Sequence, residues 1–321
     1  MVALLQPAPP GGARLLGLGS YLPARSVGND EFAARLDTDD AWIRTRVGVS
    51  TRRYAGSESV ADMAVDAAGK ALAAAGVVAA DVDLVLLASC TLPSAVPGRA
   101  AEVATRLGAR AAGALDVNGA CAGFCYGLAI AADAVRSGSA RQVLVVGSER
   151  LTDWVDHGDR ATAPIVGDGA GAAVVGPATH ASTEIGPPAW GHDGSNPSII
   201  EITRADPHLR MAGPAVYRWA IGLAPVARRA CALAGIEPAD LVAFVPHQAN
   251  LRIVDALAAA LQVPHVAVAR DIVECGNTSA ASVPIALSRL VERGQVRRGD
   301  PVLLLAFGAG LTYAGQVVRT P

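Results

Sequence analysis

The chain has 321 residues, of which 27 are basic and 29 acidic, and its net charge of −2 does not indicate a nucleic-acid-binding protein. This length allows two modest domains or one large unit. Hydrophobic residues make up 51% of the chain but aromatic residues only 4%, with many Ala, Val, Leu and Gly. Such a composition favours helices that pack closely on buried parallel strands.

The N-terminus and the cysteines bear on where the protein works. Residues 1–12 lack a basic region and a long apolar core, so we expect a loose extension rather than a signal peptide. No uncharged apolar run is long enough to span a bilayer, so we expect no membrane association. The five cysteines lack the spacing of metal ligands, which predicts no metal site. Their odd number, without a secretory signal, indicates reduced thiols in the cytoplasm.

Apolar strands and helical patterns alternate along the chain in two parts. The first part contains predicted strands at 84–88, 114–117, 143–146 and 172–175, and the second at 241–245, 266–269, 302–305 and 313–318. Helical patterns cover residues 59–75, 121–137, 216–234, 250–261 and 279–293. The repetition predicts a duplicated α/β unit, with one half at 13–176 and the other at 177–321. A site at the junction of two such halves is a common arrangement.

Cys121 lies where a predicted strand ends and a predicted helix begins, within Ala120-Cys121-Ala122-Gly123-Phe124. A thiol at a helix N-terminus experiences the positive end of the helix dipole, which favours the nucleophilic thiolate. A single cysteine in this position can equally be a small buried residue. Further polar residues are therefore needed before a catalytic role can be assigned.

Two segments of the second half supply such residues. His247 follows the predicted strand 241–245, and Asn277 lies in a Gly/Asn turn that opens the last predicted helix. Ligands bind at the carboxyl ends of strands in parallel α/β sheets. Each residue alone has a structural explanation, as a turn histidine or a helix-capping asparagine. Together with Cys121 they form a nucleophile with two polar partners.

The glycine-rich segment 167–172 is similar to a nucleotide-binding loop only in composition. It lacks a preceding strand and a following helix. We predict that it makes a tight turn into the strand that ends at Val175, with a structural role.

Five motifs resemble β-ketoacyl-acyl-carrier-protein synthase III, the initiating condensing enzyme of the thiolase-like superfamily: ACAGF, VPHQANLRI, GNTSAASVP, GDGAGAAVVG and AFGAGLTYAGQVV. The resemblance extends from about Arg14 to Val318. It implies the thiolase fold, in which two similar α/β halves form a five-layered αβαβα sandwich, and a homodimer. It also implies that no cofactor is permanently bound and that acyl-CoA is a substrate.

The resemblance implies a two-stage reaction with Cys121, His247 and Asn277 as catalytic residues. Cys121 attacks the acyl-CoA thioester and holds the acyl group. Malonyl-acyl carrier protein then loses carbon dioxide, and its enolate attacks the acyl-cysteine to give a 3-oxoacyl product. Neutral His247 and the Asn277 amide can donate to the thioester oxygen where negative charge develops. The second oxyanion site is expected at the backbone N–H groups of Cys121 and Ala309, where many members have a third glycine instead of Ala309.

The resemblance also assigns residues that bind the substrates. Trp42 matches an adenine-stacking tryptophan, and an aromatic platform with cations suits a nucleotide. The remaining matches are Arg46 and Arg160 beside the nucleotide, Gly213 and Asn250 along the pantetheine tunnel, Val96 and Phe307 at the acyl pocket, and Arg218 and Arg252 at the carrier-protein docking site. Val96 lies in a segment that resembles the loop reaching the partner subunit's acyl pocket. The alternative for Trp42 is a core aromatic residue, and the alternative for the arginines is an ordinary solvated side chain.

Other functions with a similar residue order are less consistent with the chain. Papain-like proteases share the order Cys, His, Asn, but the Cys-Gly-Ser-Cys-Trp segment is absent and the α/β alternation differs. A non-catalytic partner subunit such as a chain-length factor loses the active cysteine. The remaining alternative is a relative that primes a polyketide synthase or transfers an acyl group in specialised metabolism. Non-condensing relatives tend to alter the triad, so priming stays open.

Overall fold

The computed structural model describes residues 11–178 and 184–321. Its strands are β1 (Ala13–Tyr21), β2 (Arg25–Gly28), β3 (Thr51–Tyr54), β4 (Leu84–Ala88), β5 (Gly113–Val117), β6 (Val143–Arg150), β7 (Asp168–Pro177), β8 (Ala189–His192), β9 (Ile200–Glu201), β10 (Arg210–Met211), β11 (Ala243–Pro246), β12 (Ala267–Val268), β13 (Pro301–Gly308) and β14 (Thr312–Arg319). Most of the predicted extension at residues 1–12 falls on residues 1–10, which lie outside the described residues.

The α-helices connect these strands. They are α1 (Asp30–Ala33), α2 (Asp40–Arg46), α3 (Val60–Ala75), α4 (Ala100–Leu107), α5 (Gly123–Ser137), α6 (Gly213–Ile221), α7 (Ala224–Leu233), α8 (Leu251–Leu261), α9 (Ile272–Cys275) and α10 (Ser282–Glu292). Short 3₁₀ turns at Ala120–Ala122 and Ser279–Ala281 precede α5 and α10. No helix of the described residues is long and apolar enough to cross a membrane.

Two five-stranded sheets have the same topology. Their strand orders are β1-β7-β6-β4-β5 and β8-β14-β13-β11-β12, so equivalent strands occur in the same chain order in both. In each sheet three strands run parallel and the other two pair antiparallel. The duplicated α/β architecture is therefore confirmed, while the parallel pairing expected from the composition holds for only part of each sheet.

Helices and sheets form five layers. Helices α3 and α4 cover the outer face of the first sheet, α5 and α10 lie between the sheets, and α7 and α8 cover the outer face of the second. The central apolar cluster contains residues of both halves, including Phe124 and Leu128 of α5 and Leu287 of α10. The two halves thus share a core, and the domain boundary near residue 177 stays a prediction.

The glycine-rich segment 167–172 belongs to a strand rather than a turn. β7 already begins at Asp168, so the predicted turn is wrong. A Cβ atom at Gly171 would lie 2.6 Å from the backbone nitrogen of Ile285 and 2.8 Å from the carbonyl carbon of Pro284. The absence of a side chain there lets α10 lie directly on β7, which is a structural role.

One predicted helix is two helices in the structure. The pattern at 216–234 divides into α6 and α7 around Gly222 and Leu223. Pro225 lies in the first turn of α7, where its missing N–H breaks no helical hydrogen bond. The hydrophobic pattern indicated the apolar face, which is continuous across both helices, but it did not indicate where the helix is interrupted.

Candidate active site

A cavity of about 1000 Å³ lies at the carboxyl ends of β5, β11 and β13, where the two halves meet. The structure places most of the predicted site residues in its lining: Trp42, Arg46, Cys121, Gly213, Arg218, His247, Asn250, Arg252, Asn277, Phe307 and Ala309. Its size suits a small-molecule site. The cavity brings together residues that are up to 267 positions apart along the chain, from Trp42 to Ala309.

Cys121 lies in a tight turn that connects β5 to α5. Asn118 Oδ1 accepts a hydrogen bond from the backbone N–H of Ala120 at 3.2 Å. Ala120 has a φ of 46°, a left-handed conformation that is uncommon for alanine and is found at functional sites. Cys121 occupies the 3₁₀ turn, and the α-helix begins at Gly123 rather than at Cys121 as predicted.

The end of β13 closes against Cys121. A Cβ atom at Gly308 would lie 2.8 Å from the backbone nitrogen of Cys121, so only glycine fits this approach. Ala309 follows in the cavity lining, and its φ lies outside the left-handed region, so its methyl group adds no backbone strain. The backbone N–H groups predicted for the oxyanion site therefore belong to two adjoining segments.

The thiol of Cys121 does not meet the expectation drawn from the helix dipole. Cys121 is half-buried in the cavity lining, and burial raises the pKa of its thiol to about 11, with the Ser279 hydroxyl 3.4 Å from the sulfur. The negative charge of Glu149 raises this pKa further. The resting cysteine is thus a thiol near neutral pH, so burial outweighs the preference of the helix dipole for the thiolate. The dipole is a local effect, whereas burial depends on the tertiary fold.

His247 follows β11 and is 2% exposed. Its Nδ1 lies 2.7 Å from Ser282 Oγ, and the same oxygen accepts the backbone N–H of Gln248 at 3.4 Å. We assign the serine hydroxyl as the donor to Nδ1, which places the proton of the neutral ring on Nε2. Burial lowers the pKa of His247 to about 3, so the ring is a neutral hydrogen-bond donor. Phe307 packs edge-on against it, with ring centroids 5.2 Å apart.

Asn277 is held by both halves of the molecule. Its backbone N–H donates to the Ile165 carbonyl at 2.8 Å, and its own carbonyl accepts the N–H of Gly167 at 2.9 Å. Its side-chain Oδ1 accepts the N–H of Ser279 at 2.8 Å. This last bond fixes the orientation of the amide, so that Nδ2 is the donor available to a substrate oxygen.

Glu149 is a buried residue that the sequence analysis missed. It lies near the end of β6 and is fully buried beside the turn that holds Cys121. Its carboxylate accepts hydrogen bonds from both halves: Ser89 Oγ at 3.0 Å, the Cys90 backbone N–H at 3.1 Å, Thr91 Oγ1, Ser279 Oγ at 2.9 Å and the Ala280 backbone N–H at 3.3 Å. The only sequence signal is a charged residue three positions after the apolar run 143–146.

The predicted nucleotide end lies at the opposite side of the cavity. The Arg160 guanidinium lies 4.2 Å from the centroid of the Trp42 ring and pairs with exposed Asp37 at 3.6 Å. Asn250 caps α8 through the N–H of Arg252 and donates to the carbonyl of Arg46 at 3.1 Å. Asn250 thus has a structural role, because it joins α8 to α2. Arg160 lies beside Trp42 rather than in the cavity lining.

The remaining predicted residues lie at the surface. Arg218 on α6 and Arg252 on α8 are exposed at the cavity, and the Arg252 guanidinium lies 5.2 Å from the centroid of the Tyr217 ring. Val96 is 87% exposed and lies away from the cavity of its own chain. Cys90 lines the cavity instead, and the sequence analysis assigned it no role.

Two family models match this chain. The model described as 3-oxoacyl-[acyl-carrier-protein] synthase III matches residues 115–194, and the model described as the C-terminal part of the same enzyme matches residues 231–320. The first match contains Cys121, and the second contains His247 and Asn277.

Curated relatives and solved structures agree with these matches. The β-ketoacyl-[acyl-carrier-protein] synthase III 4 of Streptomyces coelicolor is 51% identical over 97% of this chain and 99% of its own. The priming β-ketosynthase of a polyketide biosynthetic pathway superposes with a TM-score of 0.96 at 46% identity, covering 100% of this chain and 99% of its own. The 3-oxoacyl-[acyl-carrier-protein] synthase III of Aquifex aeolicus gives 0.93 at 37% identity, covering 96% and 100%.

Proposed function

Because the chain belongs to the 3-oxoacyl-[acyl-carrier-protein] synthase III family, we propose that Cys121, His247 and Asn277 carry out a decarboxylative condensation between an acyl-CoA and malonyl-acyl carrier protein. The chain is a condensing acyltransferase with the thiolase fold. The observation that carries the assignment of residues is that one cavity brings these three side chains together from both halves.

In the first half-reaction, Cys121 Sγ attacks the thioester carbonyl of acyl-CoA. The backbone N–H groups of Cys121 and Ala309 donate to the oxygen of the tetrahedral intermediate. Coenzyme A leaves, and the acyl group stays on Cys121. The close approach of Gly308 to Cys121 supports this role, because it brings the two backbone segments to the same place.

In the second half-reaction, His247 and Asn277 bind the thioester oxygen of the malonyl group. His247 donates through Nε2–H and Asn277 through Nδ2–H. Loss of carbon dioxide places negative charge on this oxygen, and the two donors stabilise it without adding a charge. The enolate carbon then attacks the acyl-cysteine, and the collapse of that intermediate frees Cys121 and the 3-oxoacyl product.

The coenzyme A moiety would occupy the end of the cavity near Trp42. Adenine can stack on the indole ring once the Arg160 side chain moves, and the exposed pair with Asp37 costs little to break. Arg46 and Arg160 would then accompany the phosphates, while Gly213 and Asn250 line the path of pantetheine. Acyl-CoA acts as a substrate in this proposal, and the chemistry needs no resident cofactor.

The carrier protein would dock at Arg218 and Arg252. Both cations are exposed at the cavity, on adjacent helices. A carrier protein rich in carboxylates would be attracted by them, and salt would weaken the encounter.

The functional unit would be a homodimer in the cytoplasm. β5 is the edge strand of the first sheet and carries the 45% exposed Leu115, and Val96 is exposed in the loop after β4. An apolar sheet edge is suited to pairing with a second copy, which would also place Val96 at the partner's acyl pocket. The five free cysteines support a reducing compartment.

Priming of a polyketide with a particular starter acyl group is a second candidate. The superposition on a priming β-ketosynthase, with a TM-score of 0.96 at 46% identity, favours it. Both candidates share the same chemistry. They differ in the acyl-CoA and in the carrier protein that the enzyme prefers.

The test is to incubate the protein with acyl-CoA and map the modified peptide by mass spectrometry, then add malonyl-acyl carrier protein. We expect an acyl adduct on Cys121 that converts to 3-oxoacyl-acyl carrier protein. No adduct with acyl-CoAs from two to eight carbons, or an adduct that malonyl-acyl carrier protein does not consume, would contradict the proposal. The kcat/KM values for straight and branched acyl-CoAs, with carrier proteins of fatty acid and polyketide pathways, separate the two candidates.

A further inference from the structure

The proposed acylation leaves one proton without an acceptor. Cys121 is a thiol in the resting site, so its proton must leave as the sulfur attacks the acyl thioester. His247 is poorly suited to take it, because Nδ1 accepts the Ser282 hydroxyl and Nε2 already carries the ring proton. The triad therefore accounts for the donors of the second half-reaction but not for the base of the first.

Ser279 lies between the sulfur of Cys121 and the carboxylate of Glu149. Its Oγ is 3.4 Å from Cys121 Sγ and 2.9 Å from Glu149 Oε1. Ser279 is 1% exposed and Glu149 fully buried, so this path excludes bulk water. A thiol, a hydroxyl and a carboxylate thus follow one another at hydrogen-bonding distances.

Glu149 Oε1, Cys121 Sγ and Cys90 Sγ all lie within reach of the Ser279 hydroxyl, the last at 3.4 Å, but this hydroxyl has a single hydrogen to donate. The carboxylate takes it, because a hydrogen bond to an ionised acceptor is stronger than one to sulfur and the distance is shorter. The oxygen of Ser279 is then an acceptor toward the Cys121 thiol. All donors that reach Glu149 are neutral groups, and the titratable groups that face it are the thiols of Cys90 and Cys121.

We propose that Glu149 accepts the thiol proton of Cys121 through the hydroxyl of Ser279 when the cysteine attacks the acyl thioester. This inference rests on the proposed acylation of Cys121. Ser279 contacts the reacting sulfur, whereas Glu149 acts through Ser279.

The transfer balances as follows. The Cys121 S–H bond breaks and its proton binds Ser279 Oγ, while the original Ser279 proton moves to Glu149 Oε1. The electron pair left on sulfur forms the bond to the acyl carbon. As the carbonyl re-forms, the bond to the coenzyme A sulfur breaks, and this thiolate receives a proton back through Ser279. The net result is acyl-Cys121 and coenzyme A thiol, with Glu149 again ionised.

The electrostatics agree with the geometry. Burial raises the pKa of Glu149 above its usual value, which makes its carboxylate a better base, and burial also raises the pKa of Cys121. A proton on Glu149 removes the negative charge that opposes a thiolate at Cys121. Each proton transfer along this path therefore favours the sulfur as nucleophile.

The test measures single-turnover acylation of Cys121 by acyl-CoA between pH 5 and 10 in the wild type and in Glu149→Gln. Glutamine keeps the shape and one acceptor oxygen but is not a base. We expect the acylation rate constant at pH 7 to fall about a hundredfold, a typical contribution of a general base. We also expect the variant to gain rate with pH up to the ionisation of the thiol, whereas the wild type levels off once Glu149 is ionised. Acyl-CoA affinity and malonyl decarboxylation should change little.

The opposite result has a clear physical meaning. If Glu149 only repels a thiolate, its neutralisation lowers the pKa of Cys121 and acylation becomes faster. An unchanged or faster rate would overturn the relay, and so would a fall of equal size at every pH, which indicates structural damage. Wild-type protein that forms no Cys121 adduct would instead contradict the proposed function, so the two failures are distinguishable.

Two further variants complete the design. Ser279→Ala removes the relay oxygen and should reproduce the rate loss and the pH profile of Glu149→Gln. It therefore still tests the relay if Glu149→Gln does not fold. Adding Glu149→Gln to it should cost little more, because both variants interrupt one path. Ser89→Ala is the matched control, since Ser89 donates to Oε2 while Ser279 bonds Oε1. It should acylate at close to the wild-type rate at pH 8, and a hundredfold loss there would contradict the assignment of the path.

Discussion

The turns before α5 and α10 have nearly the same backbone and different chemistry. In the first half, Asn118 Oδ1 accepts the N–H of Ala120, whose φ is 46°. In the second half, Asn277 Oδ1 accepts the N–H of Ser279, whose φ is 47°. A 3₁₀ turn and a central helix follow in both. The duplicated fold has thus placed two equivalent turns face to face in one cavity.

The difference between the turns lies in the residues that this backbone presents. Cys121 comes directly after the left-handed residue of the first turn, and Ala280 holds that place in the second. The first turn therefore carries the proposed nucleophile. The second turn carries the proposed donor Asn277 and, through Ser279, a link to Glu149. This comparison predicts that substitution of Cys121 affects acylation and substitution of Asn277 affects the malonyl step, whereas Ser279 belongs to the second turn but serves acylation.

The largest effect is expected for Cys121→Ala, which gives the first turn the residue of the second. Acylation should be lost, and the condensation rate should fall at least about 10⁴-fold, because the nucleophile is removed. Peptide mass mapping after incubation with acyl-CoA measures this. Cys125→Ala is the control, since Cys125 is fully buried and burial raises its pKa to about 12. An adduct on Cys125, or an active Cys121→Ala enzyme, would reverse the assignment.

The next largest effect is expected for Asn277→Ala and His247→Ala. Each removes one donor to the enolate oxygen and should slow malonyl decarboxylation on the order of a hundredfold. Acylation of Cys121 should fall much less. Release of carbon dioxide from malonyl-carrier protein and single-turnover acylation are the two measurements. Equal losses in both would abolish the division between the turns.

Charge reversal at Arg218 and Arg252 to Glu should affect the malonyl step alone. We expect the KM for malonyl-carrier protein to rise about tenfold at low salt, as the attraction to an acidic partner becomes repulsion. Acylation by acyl-CoA should keep its rate, because coenzyme A is proposed to contact Arg46 and Arg160 instead. An unchanged KM for the carrier protein at low salt would place the docking surface elsewhere.

Asn118→Ala tests whether the shared backbone bond or the substrate donor explains the effect of Asn277→Ala. Both variants lose the equivalent bond within the turn, which is worth about 1 kcal/mol of stability. Only Asn277 is proposed to bind the substrate. We expect Asn118→Ala to lower decarboxylation less than tenfold, measured beside a thermal unfolding curve. A loss as large as that of Asn277→Ala would assign the effect to the turn geometry.

The smallest effect is expected from pH. Because burial lowers the pKa of His247 to about 3, the ring stays neutral above this pH and keeps its Nε2 proton as donor. Decarboxylation should therefore stay level from pH 8 to pH 5, where a histidine of ordinary pKa would become charged near 6.5. A decline centred at pH 6.5 that is absent in His247→Gln would show that the ring ionises in the working enzyme.

The central strands, and the meeting of Cys121, His247 and Asn277 in one cavity, could be predicted because their signals are local. Short apolar runs indicated the central strands, and Cys121, His247 and Asn277 each follow an apolar run or a turn motif. Each of these signals lies within one short segment of the chain, so it can be recognised from the sequence alone. β1 was missed because Gly17 and Gly19 interrupt its apolar pattern. 

Glu149 and the state of Cys121 could not be predicted, because both depend on residues far apart in the chain. The partners of Glu149 include Thr91, 58 positions away, and Ser279, 130 positions away. A carboxylate after an apolar strand gives no sign of such a network. The same burial that encloses Glu149 raises the pKa of Cys121, against the local effect of the helix dipole.

The stack of Arg160 on Trp42 gives the proposed nucleotide end of the cavity a fluorescent reporter. The chain has only four tryptophans, and in this one a guanidinium lies 4.2 Å from the ring centroid. A base that replaces the cation on this indole would alter its fluorescence. Because the chain has few aromatic residues, the background fluorescence is low, and the proposed binding of coenzyme A could be followed without any label.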